Sequence, residues 1–102
     1  MKEFMLLYRL PADHVNDEAD EAAWNAWLTG LGDALLDVGR PITDSATIGG
    51  AGPALRLAGF STIAAADLRD AQRMAVGCPA MTGGGTVEVG ALVPMPEGHG
   101  PQ

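Results

Sequence analysis

Residues 54–78 read ALRLAGFSTIAAADLRDAQRMAVGC, and this stretch indicates the fold class. Its first part, from Ala54 to Ala64, is rich in apolar and β-branched residues and predicts a strand. Gly59 inside that strand suggests a bulge or a close backbone approach. One face is expected to carry Leu55, Leu57, Ser61 and Ile63, and the other Arg56, Ala58, Phe60 and Thr62.

A helix is predicted directly after this strand. Asp67 is a suitable N-cap, and Asp70 at the third helical position completes an arrangement like a capping box. Gly77 and Pro79 end the helix, and the glycine-rich link 82–85 leads to a last strand over 86–94, in which apolar residues alternate. The predicted buried stripe of the helix consists of Leu68, Ala71, Met74, Ala75 and Cys78.

The first half of the chain predicts a similar series of elements. Residues 3–9 form a compact apolar run that predicts a strand, and 11–16 form a loop. A long amphipathic helix is expected from Asp17 to Val38, with acidic residues in its first turns and a stop signal at Gly39. A short strand is expected over 41–48, followed by a turn over 49–53. The apolar stripe of this helix would be Trp24, Trp27, Leu28, Leu31, Leu35 and Val38.

The predicted order β-α-β-β-α-β is the split-βαβ motif. We therefore expect an α+β, ferredoxin-like sandwich in residues 1–94, with both helices on one face of a four-stranded antiparallel sheet. Residues 95–102 would be a flexible tail. One apolar set of the first strand (Phe4, Leu6 and Tyr8, or Met5 and Leu7) must lie on the open sheet face. A second copy would cover that face, which predicts a homodimer.

Composition narrows the function classes. The chain has 102 residues, enough for one domain, and a formal net charge of −7 with only six scattered basic residues. Nucleic acid is therefore not an expected partner. No apolar run is long enough for a membrane span, and the N-terminus lacks the pattern of a secretion signal, so we expect a cytoplasmic protein. Cys78 is the only cysteine, and the two histidines fit no metal-ligand spacing, so no metal or cofactor is expected.

Several segments, in this order and spacing, resemble the YCII-related family in its DGPF-type branch. They cover nearly the whole chain, and the most telling is Cys78-Pro79-Ala80-Met81 followed by Gly84-Gly85-Thr86-Val87-Glu88-Val89. The others are MKEFMLLY at 1–8, the helix from Trp24 that ends LLDVG at 35–39, GFSTI at 59–63 and DLRDA at 67–71.

The resemblance implies a dimeric α/β barrel, and it implies a possible regulatory role, because members of the family are associated with alternative sigma factors. The Asp-Gly-Pro-Phe segment of many DGPF-type members corresponds here to residues 43–48, in which Asp44 alone matches. The other YCII branch carries a His on the first helix, paired with an Asp as a proposed catalytic dyad. The predicted first helix has no His.

Two residues are candidates for acid–base chemistry. His14 lies beside Asp13 and Asp17 and is a candidate general base, although a solvated loop histidine is the more common situation. Asp44 is a candidate acid or base if it projects between helix and sheet, where burial would raise its pKa. More often, an aspartate next to Thr43 and Ser45 caps a turn.

The aromatic residues suggest a ligand pocket. Trp24 or Trp27 could line a cavity together with Met5, Tyr8 and Phe60, the indole N–H being a polar handle, while also packing in the core. Cys78 is expected to be a buried structural thiol, and 83–85 a connector rather than a phosphate cradle.

Three functions remain open at this point. The first is an accessory or regulatory protein that binds a small hydrophobic ligand or a partner. The second is a cofactorless dimeric-barrel enzyme, an oxygenase or isomerase acting on a small aromatic or lactone. The third is a dimeric interaction module without a pocket. An enzyme should place at least two polar groups in one cavity, a binding module needs one, and an interaction module needs none.

Overall fold

The computed structural model of the chain describes residues 1–95. The chain forms four strands and three helices, with a short 3-10 turn after the first helix. In order they are β1 (Lys2–Leu10), α1 (Glu18–Gly30), the 3-10 turn (Gly32–Ala34), β2 (Leu35–Pro41), β3 (Arg56–Ala65), α2 (Leu68–Ala75), α3 (Pro79–Thr82) and β4 (Thr86–Ala91).

The four strands form one sheet in the order β2-β3-β1-β4, and every neighbouring pair is antiparallel. This arrangement confirms the predicted α+β class with a four-stranded antiparallel sheet. Side chains of β1 alternate between buried and half-buried, as the pleat of a strand requires. The core consists of one face of β1 and β3 together with small residues of α2 and α3: Phe4, Leu6, Tyr8, Leu10, Ile63, Ala65, Ala71, Ala75, Cys78 and Ala80.

The opposite face of β1 carries Met5 and Leu7, which are half-buried. In the register of the sheet, Met5 pairs with Thr62 and Leu7 with Phe60. The sheet therefore has an apolar strip on the side away from the core, which we call the outer face. Of the two sets considered from the sequence, Met5 and Leu7 belong to this face, and Phe4, Leu6 and Tyr8 to the core.

The first helix is confirmed over Glu18–Gly30, with Asp17 as its N-cap, but its predicted continuation to Val38 is wrong. The strand predicted over 41–48 is also wrong, because the second strand lies earlier, at Leu35–Pro41. Helix α1 ends at Gly30, and Gly32 has a φ of +57°, a left-handed conformation that interrupts a helix and that glycine adopts without strain. Residues 35–41 then pair with β3 as strand β2. The apolar residues at 31, 35 and 38 follow helical spacing. That spacing does not exclude a strand at Leu35 and Val38.

The predicted irregularity near Gly59 is confirmed, and it changes which side chains share a face of β3. Tyr8 pairs with Gly59, whereas Arg9 pairs with Leu57, so Ala58 is an extra residue in β3. Because of this bulge, the expected grouping of Leu57 with Ser61 and Ile63 is wrong. Arg56 instead pairs with Leu10, a core residue.

Helix α2 begins as predicted. The Asp67 side chain accepts a hydrogen bond from the main-chain N–H of Asp70, and Asp70 accepts one from Ala66. The expected stripe is buried at Ala71, Ala75 and Cys78, whereas Leu68 is exposed.

The end of the domain differs from expectation in two details. Residues 79–82 form helix α3 immediately before the glycine-rich link, and β4 ends at Ala91 rather than at Pro94. The proposed flexible tail over 95–102 lies outside the described residues, except for Met95.

Candidate functional site

A cavity of about 570 Å³ lies between α1 and the sheet, beside the β2 edge. It opens there because α1 does not close on the sheet: none of its residues is fully buried, although it carries Trp24, Trp27 and Leu28. Pockets of several hundred Å³ are typical of sites for small organic ligands. The side of α1 is lined by Glu21, Trp24, Asn25 and Leu28, and the side of the sheet by Tyr8, Leu10, Val38, Gly39, Arg40, Pro41, Arg56, Ala58, Gly59, Phe60 and Ser61.

Aromatic rings form the inner wall of this cavity. The rings of Tyr8 and Trp24 meet edge to face, with their centroids 4.7 Å apart and an angle of 71° between the planes. Trp27 completes the cluster, 6.0 Å from Tyr8 and 5.9 Å from Trp24. Edge-to-face pairs add stability beyond the area they bury.

Two hydroxyl groups belong to the same wall, and they have different environments. Ser61 is buried, and its Oγ donates a 2.7 Å hydrogen bond to the main-chain oxygen of Val38, which joins β3 to β2. Tyr8 is only 5% exposed, and its hydroxyl has no hydrogen-bond partner within residues 1–95. Burial raises the pKa of Tyr8 to about 12, although the nearby Ser61 hydroxyl offsets part of this rise. The phenol therefore stays protonated at neutral pH.

Two arginines also line the cavity. Arg56 is half-buried, and its Nη1 donates a long hydrogen bond of 3.4 Å to the main-chain oxygen of Ile42. Arg40 is exposed at the β2 edge. Within the part of the chain that the structure describes, neither guanidinium has an ion pair, in contrast to Arg9, which approaches Glu88, and Arg73, which binds Asp70.

Three of the five predicted ligand-binding residues line the cavity: Tyr8, Trp24 and Phe60. Trp27 contacts the same rings but lies behind them, where its Nε1 donates a hydrogen bond to the main-chain oxygen of Met74. Met5 lies on the outer face of the sheet. The structure therefore brings Tyr8 and Trp24 together, whereas Phe60 pairs with Leu7 and borders the cavity from the outer face, where Met5 also lies.

The two candidate acid–base residues do not line the cavity. Nε2 of His14 lies 3.1 Å from Oδ2 of Asp20, so its carboxylate partner is Asp20 rather than Asp13 or Asp17. The imidazole sits close to Gly83, away from the aromatic wall. Asp44 is exposed in the loop between β2 and β3 rather than buried between helix and sheet.

Cys78 is a buried free thiol next to the N-terminus of α3. Burial raises its pKa to about 11, partly offset by a hydrogen bond from the main chain of Ala80. A thiol that stays protonated is a weak nucleophile, which agrees with the structural role expected from the sequence.

Sequence reasoning missed Arg56, Arg40 and Ser61 as cavity residues. Simple alternation along β3 places Arg56 on the face of Phe60, and only the extra residue Ala58 brings it into register with Leu10. Gly59 was the one signal in the sequence for this change of face. A bulge there reverses which side chains of β3 point to each face of the sheet on one side of the bulge. Arg40 was missed because β2 was predicted to start after it.

Comparison with family models, with curated proteins and with solved structures found no match to this chain. Among residues 1–95, no helix combines the length and the apolar character that a membrane crossing needs. Over the same range, no three His, Cys, Asp or Glu side chains are grouped so that they could hold a metal ion.

Proposed function

We propose that this chain binds a small, mainly apolar ligand in the cavity between α1 and the sheet, as an accessory or regulatory protein. The observation that carries the proposal is the cavity of about 570 Å³ itself, which the half-buried side chains of Trp24 and Leu28 line with apolar surface. Pockets of this size with a mainly apolar lining are typical of sites for small organic ligands.

The shape of the cavity supports binding rather than packing alone. Trp24 and Leu28 are only half-buried, so an apolar surface faces the cavity instead of a closed core. A ligand that covers this surface gains the free energy of apolar burial, about 25 cal/mol per Å² before the costs of association. An interaction module without a pocket would have filled this space with side chains.

The enzyme alternative has less support from the geometry. A cofactorless oxygenase or isomerase needs an acid–base group beside its substrate. His14 and Asp44 lie outside the cavity lining, and the phenol of Tyr8 has a pKa too high for a base at neutral pH. Arg40 and Arg56 can orient an anion through their guanidinium N–H donors.

We also propose that the chain acts as a homodimer through its outer face. Met5, Leu7 and Phe60 leave an apolar strip there, and a second sheet would cover it with matching residues. The dimeric α/β barrel and the YCII-related assignment belong to this proposal, with the sequence segments quoted above as their support. An association with regulatory partners, and a cytoplasmic location, follow from the same resemblance and from the sequence.

Native mass spectrometry of protein purified from its own host tests both proposals. Under gentle conditions, we expect a dimer that carries a small adduct, and the adduct should be lost under denaturing conditions. Asn25→Trp provides a matched variant: Asn25 is exposed on α1 and lines the cavity, so an indole there should occupy the space without disturbing the core. This variant should stay dimeric and lose the adduct.

The dimer is tested separately with Leu7→Lys. A charge on the outer face should give a folded monomer, while Leu68→Lys, on the exposed face of α2, should leave the dimer intact. A wild-type monomer would contradict the dimer proposal. An adduct that persists in Asn25→Trp would contradict the assignment of the cavity.

A further inference from the structure

The wall of the cavity differs in charge from the rest of the molecule. Its lining includes two of the six basic residues, Arg40 and Arg56, but only one of the thirteen acidic residues, Glu21. The chain as a whole has a formal net charge of −7. A cation excess at this one place favours an anion there and opposes a cationic ligand.

Arg56 is the residue best placed to hold an anion. A guanidinium carries five N–H donors, and within residues 1–95 that of Arg56 has one long hydrogen bond and no carboxylate within 4.0 Å. Its half-buried position limits competition from water. Arginine binds a carboxylate through two parallel hydrogen bonds, which fixes the orientation of the bound group.

The other residues that line the cavity indicate which chemical groups the ligand carries besides its negative charge. Trp24 and Leu28 offer an apolar surface for the body of the ligand. The fork of N–H donors on the half-buried Arg56 suits a carboxylate, because two parallel hydrogen bonds match its two oxygens. A neutral hydrocarbon would give no acceptor to the N–H groups of Arg56 that do not bind Ile42.

We infer that the cavity takes an amphipathic monoanion, with an aromatic or apolar body against Trp24 and Leu28 and a carboxylate held by Arg56. This inference rests on the proposed ligand-binding function and specifies its ligand class. Glu21, on the exposed rim, opposes the anion and limits the affinity.

A matched pair of probes tests the inference: cinnamate and its neutral counterpart, cinnamyl alcohol, titrated by calorimetry. Wild-type protein should bind cinnamate about tenfold more tightly than the alcohol, the advantage expected of a charge-assisted hydrogen bond. Arg56→Gln should lose this preference and keep its affinity for the alcohol. Arg73→Gln removes an arginine on exposed α2 and should change neither affinity.

Glu21→Gln is a second variant that keeps the test open if Arg56→Gln does not fold. It should tighten cinnamate binding about twofold and leave the alcohol unchanged, since it removes a like charge at the rim. Equal affinity of wild-type protein for cinnamate and cinnamyl alcohol would overturn the anion inference. If Asn25→Trp then abolished the binding of both probes, the proposed ligand binding in the cavity would still hold. A cinnamate preference that survives Arg56→Gln would overturn the assignment to Arg56. Binding of neither probe would overturn the inference, whereas a host-derived adduct tests the proposed function independently.

Discussion

The indole nitrogen of Trp27 lies 3.3 Å from the main-chain oxygen of Met74 and donates a hydrogen bond to it. This contact joins α1 to the last turn of α2, across 47 positions of the sequence. The last carbonyls of a helix have no partner inside that helix, so the indole supplies a donor that α2 lacks. Trp27 therefore supports the aromatic wall from behind rather than forming part of the cavity.

Replacing Trp27 by Phe should lower the free energy of unfolding by about 1 kcal/mol, because the ring is largely kept and the hydrogen bond is lost. Trp24→Phe is the matched control, since no hydrogen bond from the Trp24 indole is found among the described residues. Urea unfolding followed by circular dichroism measures both. Equal losses in the two variants would show that the hydrogen bond contributes nothing.

Gly39→Ala should be strongly destabilising, by about 3 kcal/mol, from positive-φ strain and from overlap. Gly39 has a φ of +71°, and an added Cβ would lie 1.7 Å from the main-chain oxygen of Phe60. Gly50 has a φ of +69° with no atom within 4 Å of its Cβ position, so Gly50→Ala isolates the strain. In thermal unfolding, Gly39→Ala should have a clearly lower melting temperature than Gly50→Ala. Similar melting temperatures would contradict the close approach of β2 to β3.

Tyr8→Phe should raise the stability of the empty protein by about 1 kcal/mol, because it removes a buried hydroxyl that has no partner. Ser61→Ala is the contrasting variant: its hydroxyl does have a partner, the main-chain oxygen of Val38, so its removal should lower stability. Chemical denaturation without ligand compares the two variants. A lower free energy of unfolding for Tyr8→Phe than for Ser61→Ala would contradict this account.

The ultraviolet absorbance of phenolate reports directly on Tyr8, the only tyrosine in the chain. The folded-state pKa of about 12 lies above the ordinary value of 10.0, because burial disfavours the anion. The stability linked to Tyr8 is therefore complete below pH 10.0 and is lost as the pH rises towards about 12. We expect little phenolate at pH 10.0 in folded protein, with about half ionised in urea. Half-ionisation at that pH in protein that circular dichroism shows to be folded would be inconsistent with burial.

Asp70 links stability to acidic pH. The main-chain N–H of Ala66 and the guanidinium of Arg73 lower its pKa below the ordinary 3.8. Its contribution is therefore present above pH 3.8 and is lost as the pH falls through the folded-state pKa. Asp70→Asn should be less stable than wild type near neutral pH, and the difference should narrow in acid. Asp33→Asn, an exposed control, should show no such trend, and a constant Asp70→Asn difference down to low pH would contradict the linkage.

The sequence by itself determined the elements whose signals are local. The cap at Asp67 and Asp70, the alternation in β1 and the bulge near Gly59 depend on residues a few positions apart, and these were predicted correctly. So was the α+β class, because the order of strands and helices follows from such signals.

Only the tertiary structure decided the boundary between α1 and β2 and the composition of the cavity. Residues 35–38 have apolar spacing compatible with a helix or a strand, and pairing with β3 selects the strand. The Arg56 side chain reaches the cavity because one extra residue, Ala58, shifts the register against β1. Both outcomes depend on hydrogen bonds between strands distant in sequence, and local periodicity contains no information about those partners.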